Sequence, residues 1–168
     1  MAKGVSYITK YRRRRQKKTN YARRLDLLKS GVPRLVVRIS NASTRVQVVE
    51  YSENGDLILA SAISSDLKKM GWANSTSNIP SAYLTGMLCA SRALSKNIKA
   101  AVLDMGQNPI VKGSRVFAAV KGALEAGVQV PVDKEMLPSE ERLIGAHIKA
   151  KDIKSDLEKL KSSILKNG

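Results

Sequence analysis

One cysteine, one histidine, one tryptophan and one phenylalanine are all that this 168-residue chain has of those side chains, and its 30 Lys and Arg face only 14 Asp and Glu. Each shortage closes off a class of function. A lone Cys89 makes no intramolecular disulfide, and without a Cys-x-x-Cys pair there is no thiolate set for zinc, so the chain suits a reducing compartment and implies neither metal nor cofactor. Cys89 and His147 would have to meet to form a thiol-imidazole dyad, and the small-residue helix face that carries Cys89 reads as core instead. No apolar stretch succeeds the charged N-terminus, because Asp26 interrupts Leu25, Leu27 and Leu28 and Lys29 closes them, so secretion is not expected. The uncharged run 70–91 contains Asn74, Ser75, Thr76, Ser77, Asn78 and Pro80 and fails as a membrane span. The expectation is a soluble, cytosolic protein with no membrane partner and no small-molecule substrate.

What the chain has in abundance is positive charge at one end. Residues 1–34 hold twelve Lys and Arg against the single acid Asp26, so eleven of the sixteen net positive charges lie in the first fifth of the chain. Such a field repels itself in a free protein, and the simplest reason to retain it is a polyanion across the contact. Three of the five tyrosines are interleaved with those cations, in Tyr7, Lys10, Tyr11, Arg12, Arg13, Arg14, Arg15, Lys17, Lys18, Thr19, Asn20, Tyr21, Arg23 and Arg24. Guanidinium forks bridge phosphate oxygens, while tyrosine rings stack on unpaired bases or lie along a shallow groove, which favours RNA. The competing explanation is a solvated charge run or a localisation signal. The aromatics among the arginines argue against it.

Beyond the arm the pattern is that of one α/β domain. Thr19 caps a short helix whose Leu25 and Leu28 share a face and which Ser30-Gly31 ends before Pro33. Runs 35–39 and 45–51 are β-branched strands about the Asn41 turn, with Arg38 and Arg45 on the exposed face, and Asn54-Gly55 turns the chain into a third strand over 57–62. A helix from Pro80 to Lys96 carries Tyr83, Met87, Ala90 and Leu94 on one stripe, with Ala82, Gly86 and Ala93 small enough to approach a sheet. A fourth strand at 101–105, a helix from Arg115 to Ala126 capped by Ser114 and stopped by Gly127, and an extended 128–132 complete a mixed sheet of strand-strand-strand-helix-strand-helix order. The parts are a basic arm with its short helix (1–31), an α/β core (32–132) and a helical C-terminal tail (133–168), whose last helix has Ile153, Leu157, Leu160 and Ile164 as its stripe.

Three further features bear on chemistry. Asp104-x-Gly106-x-Asn108 with Lys112, Ser114 and Arg115 lies between a strand end and a helix start, which reads equally as a second anion contact or as an ordinary turn with a serine cap; it is no P-loop, since Gly-Lys-Ser/Thr is absent. The strand order also admits ribonuclease-H-like nucleases, but those need carboxylates converging on metal ions from the first strand onward, and 34–40 contains no acid. Trp72 after Gly71 reads as an anchor at the edge of the core.

Seven stretches, taken in order, resemble the archaeal-type large-subunit ribosomal protein L-eighteen family, whose eukaryotic relative is ribosomal protein L-five. They are Arg12-Arg13-Arg14-Arg15 with Lys18-Thr19, Tyr21 and Arg24-Leu25 through Leu27-Leu28-Lys29-Ser30-Gly31; Pro33-Arg34-Leu35-Val36 through Ser40-Asn41; Leu59-Ala60-Ser61-Ala62; Pro80-Ser81-Ala82-Tyr83-Leu84-Thr85-Gly86; Ala101-Val102-Leu103-Asp104-Met105-Gly106; Gly113-Ser114-Arg115-Val116-Phe117-Ala118; and Gly145-Ala146-His147-Ile148. The resemblance implies a non-enzymatic constituent of the large subunit's central protuberance that binds 5S rRNA and bridges it to 23S rRNA, beside neighbouring ribosomal proteins. It implies RNA contacts for the arm, with the Ser40-Asn41 turn, Lys112, Arg115 and His147 as secondary ones. The tail from residue 150 onward has no clear match in it.

Overall fold

The computed structural model describes Gly4, residues 8–148 and residues 153–166. In chain order these form α1 (Arg12–Arg15), α2 (Tyr21–Leu28), β1 (Arg34–Ile39), β2 (Thr44–Glu50), β3 (Leu57–Ile63), α3 (Asp66–Lys69), α4 (Ile79–Leu94), β4 (Val102–Asp104), α5 (Arg115–Ala126), a single 3-10 turn (Lys134–Met136), α6 (Glu140–Ile144) and α7 (Ile153–Lys166). The four strands make one sheet in the order β3-β2-β1-β4. β1 runs antiparallel to β2 with Arg38 opposite Arg45, and parallel to β4 with Val36 opposite Asp104. The expected α/β class and its strand and helix order are therefore present.

Alternation along β1 and β2 sends Leu35, Val37, Val46 and Val48 to one face, where all four are fully buried. α4 covers that face. It packs on β2 and β3, with α5 and α7 against its other sides, so fourteen of its sixteen residues are buried. The single stripe expected of α4 understates this, because a helix covered on every side is apolar all round. Gly86 was expected to meet the sheet; it meets α5 instead. A methyl group on Gly86 would overlap the Ala119 carbonyl, and one on Gly122 of α5 would overlap the Tyr83 carbonyl, so each helix presses a glycine against the other's backbone. α7 extends the same core through Ile153, Leu157, Leu160 and Ile164, all buried as expected. Trp72 is buried and donates its indole N–H to the Ser75 carbonyl at 3.0 Å, as an anchor should.

Other local expectations change. Asn20, not Thr19, caps α2, its side chain accepting from the Arg23 amide, while Thr19 faces back to accept from Arg13. Leu25 is 57% exposed, so the better-covered leucines of α2 are the half-buried Leu27 and Leu28. Segment 128–132 stays extended, as expected, and makes one parallel bridge, from Gln129 to Ala100, since Pro131 has no amide to donate further. Gly127 does end α5, at φ +111°, the left-handed conformation glycine adopts without a Cβ penalty.

Candidate nucleic-acid interface

The first anchor of the arm is a turn that no glycine makes. After α1, Lys17 takes φ +53°, the Lys17 amide donates to the Arg14 carbonyl and the Lys18 amide to the Arg13 carbonyl, which closes the helix end in a Schellman arrangement. A lysine held there costs on the order of 1 kcal/mol. From Lys18 onward the chain folds back: Arg13 Nε donates to Thr19 Oγ1 at 2.9 Å, and the Tyr11 and Tyr21 rings meet with centroids 5.3 Å apart, tilted by 54°. Lys10, Tyr11, Arg12 to Arg15, Lys17 and Lys18 all remain exposed, whereas Tyr21, Arg23 and Arg24 are half-buried. Tyr7 lies outside the described residues.

α2 is tied to the outer face of the sheet through a line of charges. Arg24 Nη2 donates to both Asp56 oxygens, at 2.7 and 2.9 Å. Asp56 also accepts from Arg34 Nη2 at 2.7 Å, Arg34 Nη1 donates to Asp104 Oδ2 at 3.0 Å, and Arg38 Nη2 donates to Asp104 Oδ1 at 3.1 Å. The Gly106 amide adds 2.8 Å to Asp104 Oδ1, and Arg38 Nη1 holds the Asp104 and Val37 carbonyls. Arg34 is buried at 2% exposure on β1, so it needs both carboxylates. Burial pushes the Asp56 carboxyl upward, but hydrogen bonds from Arg24 and Arg34 outweigh it and hold it below the usual carboxylate range. Asp104 is lowered likewise, with burial opposed by the Arg38 charge and the Gly106 amide. The Arg24 guanidinium is raised, chiefly by its bond to Asp56.

This line occupies the position where a nuclease would need converging carboxylates. Asp104 is committed to two arginines, and among the described residues no group of three or more His, Cys, Asp or Glu gathers as a metal site would. Cys89 is fully buried on α4, and burial pushes its thiol up to about 12, so at neutral pH it is a core group and no nucleophile.

The residues expected to make secondary contacts do not gather in one place. Arg45 stands exposed opposite Arg38 at the mouth of the sheet. Arg115 Nη1 reaches the Ser40 carbonyl at 3.1 Å and the Ser77 carbonyl at 2.9 Å, so it staples the exposed Ser40-Asn41 turn to the segment before α4. Gly145, two residues before the exposed His147, abuts Pro80 at the start of α4. Lys112 pairs with Glu135 at 3.0 Å, and Ser114 sits at the N-cap of α5 without a side-chain bond to its amides. Arg34 and Asp56 escaped sequence reasoning. The available signals were a cation opening an apolar strand straight after Pro33 and an acid straight after the Asn54-Gly55 turn.

The family model described as "Ribosomal large subunit proteins 60S L5, and 50S L18" matches residues 5–101 of the chain. Large ribosomal subunit protein uL18 of Methanobrevibacter smithii is 46% identical over 171 residues, covering all of this chain and 89% of the relative. The proteins of the same name from Caldivirga maquilingensis and Haloarcula marismortui are 52% and 50% identical, each over 88% of this chain and over 72% and 79% of their own lengths. The Methanobrevibacter match runs through the C-terminal tail as well, which corrects the expectation that the tail lies outside the family. These relatives bear the names of ribosomal proteins and not of enzymes, and the nuclease reading falls with them. With more than half its length under the family model and close relatives along all of it, this chain belongs to the L5/L18 family of large-subunit ribosomal proteins.

Proposed function

We propose that the chain is a structural constituent of the large ribosomal subunit that binds 5S rRNA through its basic arm and attaches it to 23S rRNA, beside neighbouring ribosomal proteins. The observation that carries this reading is the arm itself: the short helix α1 and the turn after it present Arg12 to Arg15, Lys17 and Lys18 to solvent without a carboxylate partner among the described residues, next to the paired Tyr11 and Tyr21. In this reading residues 1–31 grip RNA, residues 32–132 form the α/β body, and the Ser40-Asn41 turn, Arg45, Lys112, Arg115 and His147 make secondary contacts, while residues 133–168 brace the body. No bond is made or broken. The protein neutralises phosphates, releases their counterions and selects among RNAs by shape and by a few stacked or edge-read bases, since an A-form helix hides its major groove.

A salt titration of the full chain against 5S rRNA, in excess transfer RNA, tests it. If about eight phosphates are engaged, the logarithm of affinity falls with the logarithm of salt at a slope of roughly −6 to −7. Tight binding that survives the competitor supports the reading. Binding that transfer RNA or duplex DNA abolishes equally would reduce the arm to a polyanion handle.

A further inference from the structure

Acidic side chains within a face built to hold RNA repel the ligand, so two of them at its centre require a reason. Asp56 and Asp104 sit among Arg24, Arg34 and Arg38 in one unbroken line of contacts between 2.7 and 3.1 Å. We infer that Asp56 and Asp104 are positioning residues for RNA binding, a latch that docks α2 on the sheet so that the arm's cations are oriented before RNA arrives. This rests on the RNA-binding reading above.

The helix needs such a latch. α2 has eight residues, none of them buried, and helices shorter than about 12 residues are marginal in water without tertiary support. Its own interior supplies little, since Asp26 and Lys29 are its one internal ion pair and are both mostly exposed. What holds it is at its middle, where Arg24 forms a two-pronged bond with Asp56, and Asp56 is held in turn by the buried Arg34. Both bonds come from the one nitrogen Nη2, and charge-assisted bonds of this kind are roughly twice as strong as neutral ones, so they hold the middle of the helix close to Asp56. The two carboxylates also offset the repulsion among three guanidinium groups that would otherwise crowd one end of the sheet.

The docked arm encloses a cleft of about 110 Å³ against the sheet. Arg13, Lys18 and Arg23 line it from the arm side, and Arg38, Gly106 and Asp104, whose carboxylate is paired with Arg34 and Arg38, from the sheet side. The latch consumes the charge of Arg24 and Arg38, while Arg13, Lys18 and Arg23 meet no carboxylate among the described residues. The latch thus aims unpaired cations at the place a phosphodiester would occupy. A preorganised arm loses less conformational entropy on binding than one that folds around the RNA.

Two accounts of Asp56 differ in sign. If it were only a negative charge near RNA, Asp56→Asn would tighten binding. If it positions the arm, Asp56→Asn weakens 5S rRNA binding, on the order of tenfold, despite the gain of a net positive charge. The test pairs that affinity with hydrogen exchange of the α2 amides in the free full-length chain, for wild type, Asp56→Asn and Asp56→Glu. The expected result is lost α2 protection and weaker binding in Asp56→Asn, both partly restored in Asp56→Glu. Unchanged α2 protection, or tighter binding, overturns the latch. Should Asp56→Asn unfold because Arg34 is left short of charge, Arg24→Gln severs only the arm's end of the line, and its α2 exchange decides the same point. Wild-type protein that shows α2 protection yet no preference for 5S rRNA would sink the functional reading while leaving the latch standing.

Discussion

Helices α2 and α4 start alike, each with an asparagine that accepts from the amide three residues on: Asn20 from Arg23 at 3.3 Å, and Asn78 from Ser81 at 2.9 Å. After that first turn they share almost nothing. α4 has sheet beneath it and α5 and α7 beside it, and fourteen of its residues leave water; α2 buries none and is moored by one ion pair. A cap locates a helix start, but what keeps the helix in place is decided by what lies across from it. Apolar burial is not screened by salt and does not depend on pH near neutrality, whereas ion pairs with half-exposed ends are screened by salt and abolished by acid. The body is held by the first kind of force and the arm's mooring by the second, which suits one part to support and the other to meet a polyanion.

The contrast between the two helices is tested most severely at Gly86. Gly86→Ala drives a methyl into the Ala119 carbonyl, where a backbone and not a flexible side chain must yield, and the expected loss is about 3 kcal/mol or more in thermal or urea unfolding. A variant with wild-type stability would mean that α4 and α5 do not touch as described. Next comes the opposite kind of change: replacing Arg12 to Arg15 together with Ala leaves the unfolding midpoint almost unmoved, since all four are exposed, yet flattens the salt slope of RNA binding by about 3 and weakens binding to every RNA. An unaltered slope would take these arginines out of the interface.

The two helices also separate on the pH scale, in opposite directions. Asp56 and Asp104 are depressed below the ordinary 3.8, so the stabilisation they give α2 is complete above that value and is lost as pH falls through their lower folded values. Cys89 and Tyr83 on α4 are both pushed up to about 12, Cys89 by burial and Tyr83 by burial and then its bond to Glu125, so the fold favours their neutral forms. Their contribution is complete below the ordinary 9.0 and 10.0 and disappears as pH climbs toward 12. Acid therefore frees α2 before α4, weakening the body only where the buried Arg34 loses its two carboxylates and leaving the apolar core in place, and alkali weakens the body; exchange protection monitored for both helices across the two titrations checks the order. Loss of α2 and α4 together in acid would deny the arm its separate mooring.

The smallest effect is expected at Tyr21. Tyr21→Ala removes the ring that meets Tyr11, and stacking of this kind contributes roughly 1–3 kcal/mol where a base replaces the partner ring. It should lower affinity for 5S rRNA more than for transfer RNA. Equal losses on the two would show that Tyr21 supports the arm without reading the RNA.

Although the short helices α1 and α3 were not legible in it, local pattern was enough to define the main strand and helix order of the body, the neighbouring of β1 and β2 about the Asn41 turn, the apolar stripe of α7 and the concentration of cations in the first 34 residues. Those features are carried by periodicity, turn residues and charge counts, which need no knowledge of distant neighbours. The remainder depended on packing between distant segments. Gly86 is as small beside a sheet as beside a helix, so only the packed fold shows that it receives the Ala119 carbonyl. Thr19 and Asn20 are both able caps, and Thr19 is withdrawn from that role by Arg13 across a lysine turn. The latch was invisible for the same reason: Arg24 in the arm and Arg34, Arg38, Asp56 and Asp104 in the α/β body lie far apart along the chain, each ordinary where it stands, and an ion pair has no period. Only folding the sheet with β1 between β2 and β4 brings the five charges into one line.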